Sequence, residues 1–245
     1  MPRWLVILLL MMPWGGARAV TLEQVGPSLR GELVLPLYAA YAEAARALAA
    51  VGPDCAGAWR EELRGPYVAS LLAWRRLDAL GVGPAAEGNV AATVFFWPDK
   101  HGTAGRQLAA ALRAQDPDLT QPARLAGRSA GLRSLAALEV LLWGDAVPAE
   151  ADAFACAYAR ANAVLQDGLA QRISAAAPTS LPQDAAMAEA LYRGMVATLD
   201  VLIALDLERP LGKDLAGARG GRARAWRSGQ SLPLLAAALG TVERD

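Results

Sequence analysis

Glu139 is the residue in this chain best placed to do chemistry, because of what surrounds it. It lies in SAGLRSLAALEVLLWG, residues 129–144, which reads as one helix that is apolar on nearly every side. Leu132, Leu135, Leu138, Leu142 and Trp143 span more than one helical face, so no solvated stripe remains for the carboxylate. A buried acid is costly unless something pairs with it, which makes this one either a structural anchor or part of a site. Three readings follow: an ion pair with Arg106 or another helix arginine, a retained ligand in a degenerate metal site, and exposure on an unrecognised surface. The ion pair is preferred.

A metal reading has few partners to draw on. A hydrolytic zinc site takes three protein ligands, mostly histidines, plus a water. This chain has one histidine, His101, and no H-E-x-x-H pair. A harder cation such as iron or calcium would need Glu139, Asp99 and Asp145 to converge, with His101 as a further candidate. For His101 alone, a solvated loop position is preferred over ligation. No G-x-S-x-G elbow, P-loop or dinucleotide fingerprint is present. The arginines of 209–230 (Arg219, Arg222, Arg224, Arg227) are an anion-site candidate, with a solvated loop preferred.

The amino terminus has the form of an export signal: Arg3, an apolar run from Trp4 to Met12, and Ala17-Arg18-Ala19 as a cleavage site. An uncleaved anchor is the alternative. The run is shorter than the usual roughly 30 Å bilayer core demands, and no later segment reaches about 18 uninterrupted apolar residues. No transmembrane helix is therefore expected after cleavage, and the location expected is the periplasm. Removing residues 1–19 takes away Arg3 and Arg18 and no acid, leaving 22 basic against 24 acidic residues. Such a balance argues against a nucleic-acid partner. Arginine far outnumbers lysine, and with the abundant alanine this reads as GC-rich coding rather than a dedicated anion site.

Cys55 and Cys156 both survive cleavage. In an oxidising compartment an isolated pair is most simply a disulfide; a metal pair and two buried thiols are the alternatives.

The elements that must position these residues are helical. Leu33, Leu37, Tyr41, Ala44 and Leu48 mark one helix face that Pro36 can kink. Asp54 can cap a second helix running to about Leu80. Residues 84–104 read as a packed loop or short helix, and further helices are expected at about 103–114, 129–143, 148–176 and 183–208. Pro148 suits a first helical position. Residues 209–230 read as a long loop, and an amphipathic segment, 232–239, follows. Long helices without strand pairs make this an all-α bundle.

Several stretches carry a resemblance to one family. Glu139 with Trp143-Gly144 resembles the G-x-H-x-x-E signature of the imelysin-like proteins, also classed as M75 peptidases, although Ser134 stands for the glycine and Ala136 for the histidine. Phe96-Trp97-Pro98-Asp99, then Gly102 and Arg106-Gln107, is similar to that family's F-W-P-D…G…R-Q stretch. Leu125-Ala126-Gly127-Arg128-Ser129, Cys156-Ala157-Tyr158, Pro210-Leu211-Gly212-Lys213 and Trp226-Arg227-Ser228-Gly229 with Ser231-Leu232 follow in the family's order. Cys55 also has a counterpart.

The resemblance implies an imelysin-like bundle of two packed helical units, about 20–146 and 147–245, with signature residues near their interface. It implies an exported protein tied to iron uptake, iron or another divalent metal as its ligand, and a cell-envelope partner. The absent histidine turns the expectation toward a non-catalytic binding protein and away from a metallopeptidase. Relatives continue with further helices beyond Ser231-Leu232. The stripe Met187, Leu191, Met195, Leu199 and Leu202 is therefore expected to be incompletely covered, favouring self-association.

Overall fold

The computed structural model describes residues 21–144 and 147–243. The expected export signal, residues 1–19, and Asp145 lie outside the described residues. Every regular element described is helical. α1 (Leu22–Ser28) runs through a π-helical stretch, Leu29–Val34, into α2 (Leu35–Ala50), and α3 (Trp59–Asp78) returns alongside it. Short α4 (Val90–Val94), α5 (Thr103–Ala114), α6 (Pro122–Leu125) and α7 (Ala130–Arg133) lead to α8 (Leu135–Trp143). The long α9 (Asp152–Ser180) and α10 (Asp184–Val201) follow, then a π-helical stretch Leu202–Glu208, α11 (Arg209–Leu211), a loop, and α12 (Ser231–Val242).

The core forms where α2 packs on α3 and α9, with Tyr38, Tyr41, Trp59, Tyr67 and Trp74 wholly inside. Tyr41 and Trp74 meet at 5.1 Å between ring centroids, a tilted contact of the kind aromatic quadrupoles favour. α8 packs on α3, α5 and α9, and α12 on α3. By length and composition, the continuous helix Leu22–Ala50 could cross a membrane. Its Tyr38, Tyr41, Ala45 and Leu48 face is nonetheless committed to the protein core. Where α10 crosses the end of α3, Gly194 permits the approach: a Cβ there would sit 2.2 Å from the Leu80 carbonyl oxygen. Cys55 and Cys156 form a disulfide with their Cα atoms 5.5 Å apart, pinning the turn before α3 to the start of α9.

Pro36 follows directly on the π-helical stretch Leu29–Val34 within the continuous helix Leu22–Ala50, so the irregularity falls in the turn that its missing N–H and ring disturb. Three expectations need correction. α9 begins at Asp152, after a 3-10 turn, rather than at Pro148. The Met187–Leu202 stripe is more fully covered than expected: Met187, Leu191 and Leu202 are buried, Leu202 beside Ala79 and Ala238, while Met195 and Leu199 are half-buried. The exposed apolar side chains of this hairpin lie on the other face, at Tyr192, Val196, Ile203 and Leu207.

The third correction concerns residues 129–143, which are two helices and not one. Ser134 is extended, with φ −93° and ψ 166°, and separates α7 from α8. A break inside a core strands backbone carbonyls that need donors. α9 supplies them from one face, at intervals of four residues. Tyr158 donates its hydroxyl to the Leu132 carbonyl, and Asn162 donates its amide to Leu132 and Ser134 at 3.2 and 3.4 Å. Gln166 donates to the Arg133 carbonyl at 2.6 Å and to Thr93 at 3.2 Å. The ladder fixes where α8 starts, and hence which way Glu139 faces.

Candidate functional site

A cavity of about 320 Å³ opens where three segments meet. One wall is the stretch after α4, including Phe95, Phe96, Trp97 and Asp99. The second is the face of α8 bearing Ala136, Glu139 and Val140. The third is the loop after α11, including Arg222, Trp226 and Arg227. Ala136 and Glu139 stand three residues apart and so share a helix face, which places both on the same cavity.

Glu139 is 3 % exposed. Its Oε1 accepts two hydrogen bonds from Ser228, from the backbone N–H at 2.9 Å and from the hydroxyl at 2.8 Å. Burial pushes its carboxyl above the usual range, and the Ser228 donors and the Arg227 charge only partly offset this. The expected Arg106 partner is elsewhere: its guanidinium donates to the His101 carbonyl. Ser228 is held for the task by a tight turn. Ala225 adopts φ 48°, a conformation costly for a residue with a Cβ, and its carbonyl accepts from Gln230 N at 3.0 Å, with Ser228 Oγ 3.1 Å away.

Asp99 also faces the cavity, yet both its oxygens serve backbone. Oδ1 accepts from Thr103 N at 2.8 Å and His101 N at 3.4 Å, and Oδ2 from Ala104 N at 2.9 Å, so it caps α5. Burial alone would raise its carboxyl, but these N–H donors and the nearby Arg106 charge outweigh it and hold Asp99 below the usual carboxylate range. His101 is exposed and is not a wall of the cavity. Pro98 lines a neighbouring cavity, after a cis Trp97-Pro98 peptide, and Ser134 is buried at the helix break.

Of the expected metal set, then, Glu139 and Asp99 are brought to one cavity and His101 is not. Among the described residues no group of three His, Cys, Asp or Glu side chains could hold a metal ion. The cavity walls also carry Lys100, Arg209, Arg222 and Arg227. Two carboxylates already accepting hydrogen bonds, no imidazole, and four cations do not fit a bare divalent metal, whose ligands are normally anionic or neutral donors.

The loop wall is anchored from beneath. Arg224 donates to Asp206 Oδ1 at 3.0 Å, Arg75 to Asp206 Oδ2 at 3.0 Å, and Arg75 to Asp78 at 2.7 Å. The Arg224 guanidinium lies 4.0 Å from the Trp97 ring centroid, and that of Arg209 lies 5.6 Å from it. Sequence reasoning missed Ser228, Arg209 and the Tyr158–Asn162–Gln166 ladder. The ladder had a signal, polar side chains at intervals of four in an alanine-rich helix; the pairing of Ser228 with Glu139 had none.

The Glu139–Ser228 contact gives an expected result. A carboxyl with a raised pKa in the fold adds stability below the ordinary carboxylate range and loses it as pH rises through the folded value. Glu139→Gln, which mimics the neutral acid, should be at least as stable as the parent at pH 7 in urea unfolding, with any advantage vanishing in acid. Glu139→Ala leaves the Ser228 N–H without an acceptor, while the hydroxyl can turn to the Ala225 carbonyl 3.1 Å away, and should cost about 1–3 kcal/mol. Equal losses for both variants at pH 7 would contradict the structural role.

Comparison with known proteins agrees with this architecture. The Peptidase_M75 family model, described as Imelysin, matches residues 34–244. An imelysin-like protein of Psychrobacter arcticum 273-4, solved by crystallography, superposes with a TM-score of 0.74 at 20% sequence identity, covering 90% of this chain and 72% of that one. No functionally curated protein matches the chain.

Proposed function

Because this chain belongs to the imelysin family, we propose that it is an exported, non-catalytic binding protein of the periplasm. It serves metal acquisition, iron first, without holding a bare metal ion itself, and its binding site is the cavity between α8 and the arginine-bearing loop. One observation carries the reading: the signature acid, Glu139, is committed to Ser228, and Ala136 offers no ligand beside it. A metallopeptidase needs an open metal position and a polarised water, and this cavity has neither the imidazoles nor the spare carboxylates to hold the ion. The disulfide suits an oxidising compartment. The exposed face of Tyr192, Val196, Ile203 and Leu207 suits a cell-envelope protein partner.

The test is a protease assay on the mature protein with casein and peptide substrates, with added zinc or iron and with chelator. No hydrolysis under any condition is expected. Hydrolysis that chelator abolishes and Glu139→Gln abolishes would overturn the reading in favour of a metallopeptidase.

A further inference from the structure

We propose that the cavity between α8 and the arginine-bearing loop binds a small organic anion carrying two or more carboxylates. The assignment rests on the binding-protein reading and names the ligand's class. Four cations line the cavity, Lys100, Arg209, Arg222 and Arg227, against two acids, Asp99 and Glu139, leaving an excess of two positive charges. Both acids already accept hydrogen bonds within the protein. Among the described residues none of the four cations has a side-chain hydrogen bond, and none has an acid within 4.0 Å.

Arg209 lines the cavity with its guanidinium held near the Trp97 ring, 5.6 Å from the centroid. Arg227 is likewise held on an aromatic face, 4.5 Å from the Trp226 ring centroid. A planar guanidinium fixed in this way is suited to two-pronged recognition of a carboxylate. Contrast Arg224, whose charge is spent on Asp206 and which lines the neighbouring cavity instead.

The rest of the lining separates an organic anion from an inorganic one. Phe95, Phe96, Ala104, Ala136, Val140 and Trp226 present apolar surface. A carbon skeleton gains from burial against such walls and inorganic phosphate does not. At about 320 Å³ the space is at the small end of ligand cavities, so a compact acid fits better than a polymer segment.

Calorimetric titration of the mature protein with citrate, inorganic phosphate and glycerol tests this. Citrate should bind saturably with Kd below about 1 mM, more weakly as salt is raised, while phosphate binds less tightly and glycerol not at all. Arg227→Ala and Arg222→Ala, each with unchanged thermal unfolding, should weaken citrate about tenfold or more, the loss of one charge-assisted hydrogen bond. No saturable citrate binding, phosphate as tight as citrate, or citrate affinity unchanged in both variants would each overturn the assignment. A protein that binds no citrate and shows no protease activity loses only the ligand class. Chelator-sensitive proteolysis removes the binding-protein reading itself.

Discussion

Asp206→Ala should cost about 3–5 kcal/mol, the loss typical when one partner of a buried ion pair is removed. Asp206 is shared by two guanidinium groups, Arg75 through Oδ2 and Arg224 through Oδ1, each at 3.0 Å. Their side chains are 3%, 9% and 11% exposed for Arg75, Asp206 and Arg224, so water cannot replace the carboxylate. Arg75 keeps Asp78 at 2.7 Å, but Arg224 would retain no acid within 4.0 Å among the described residues. Burial and the neighbouring Arg75 charge already lower the Arg224 pKa, and Asp206 and Asp78 counter them. The exposed pair Arg193–Glu189 is the control: Glu189→Ala should change stability by no more than about 0.5 kcal/mol. Urea unfolding measures both. A loss below about 1 kcal/mol for Asp206→Ala would show that the network does not hold the loop.

The disulfide comes next in size. It closes a loop across a separation of 101 residues, for which chain entropy gives a stabilisation of up to about 4.7 kcal/mol. Its two ends join the α2–α3 turn and the buried start of α9. The double variant Cys55→Ser, Cys156→Ser should lose about 2–4 kcal/mol in urea, and the parent's intact mass should be two hydrogens below the reduced value. Two thiols that label freely in the native, non-reduced protein would contradict the bond. A double variant as stable as the parent would contradict its energetic weight.

What the sequence made legible follows the range of the forces involved. The periods of α3, α5 and α10 could be read directly, because an amphipathic helix announces its buried face every three or four residues. The cysteine pair was legible from compartment chemistry. The α7–α8 break was not. Leu132 to Trp143 is apolar on all sides, so no local feature competes with a continuous helix, and the donors that stabilise the break sit on α9, in Tyr158, Asn162 and Gln166. α1 was missed because Gly26 and Pro27 argue locally against helix, whereas Gly26 is there to let α10 approach Asp184-first.

The site divides in the same way. That Glu139 would be buried was legible from its neighbours. Its partner was not, because Ser228 lies 89 positions away in a loop whose arginines draw attention first. The expected ion pair with Arg106 failed for a local reason: Arg106 is drawn to the His101 carbonyl beside the turn that Asp99 organises. Of the loop arginines, Arg222 and Arg227 reach the cavity, Arg224 goes to Asp206, and Arg219 donates to the Ala216 and Ala218 carbonyls.

The central claim is that Glu139 is an acceptor for Ser228 and not a metal ligand, and metal titration of the purified mature protein tests it most directly. With zinc and with ferrous iron, binding to the parent should be weak, and Glu139→Gln should leave it unchanged. Stoichiometric, tight metal in the parent that disappears in Glu139→Gln would restore a metal site at α8 and contradict the account.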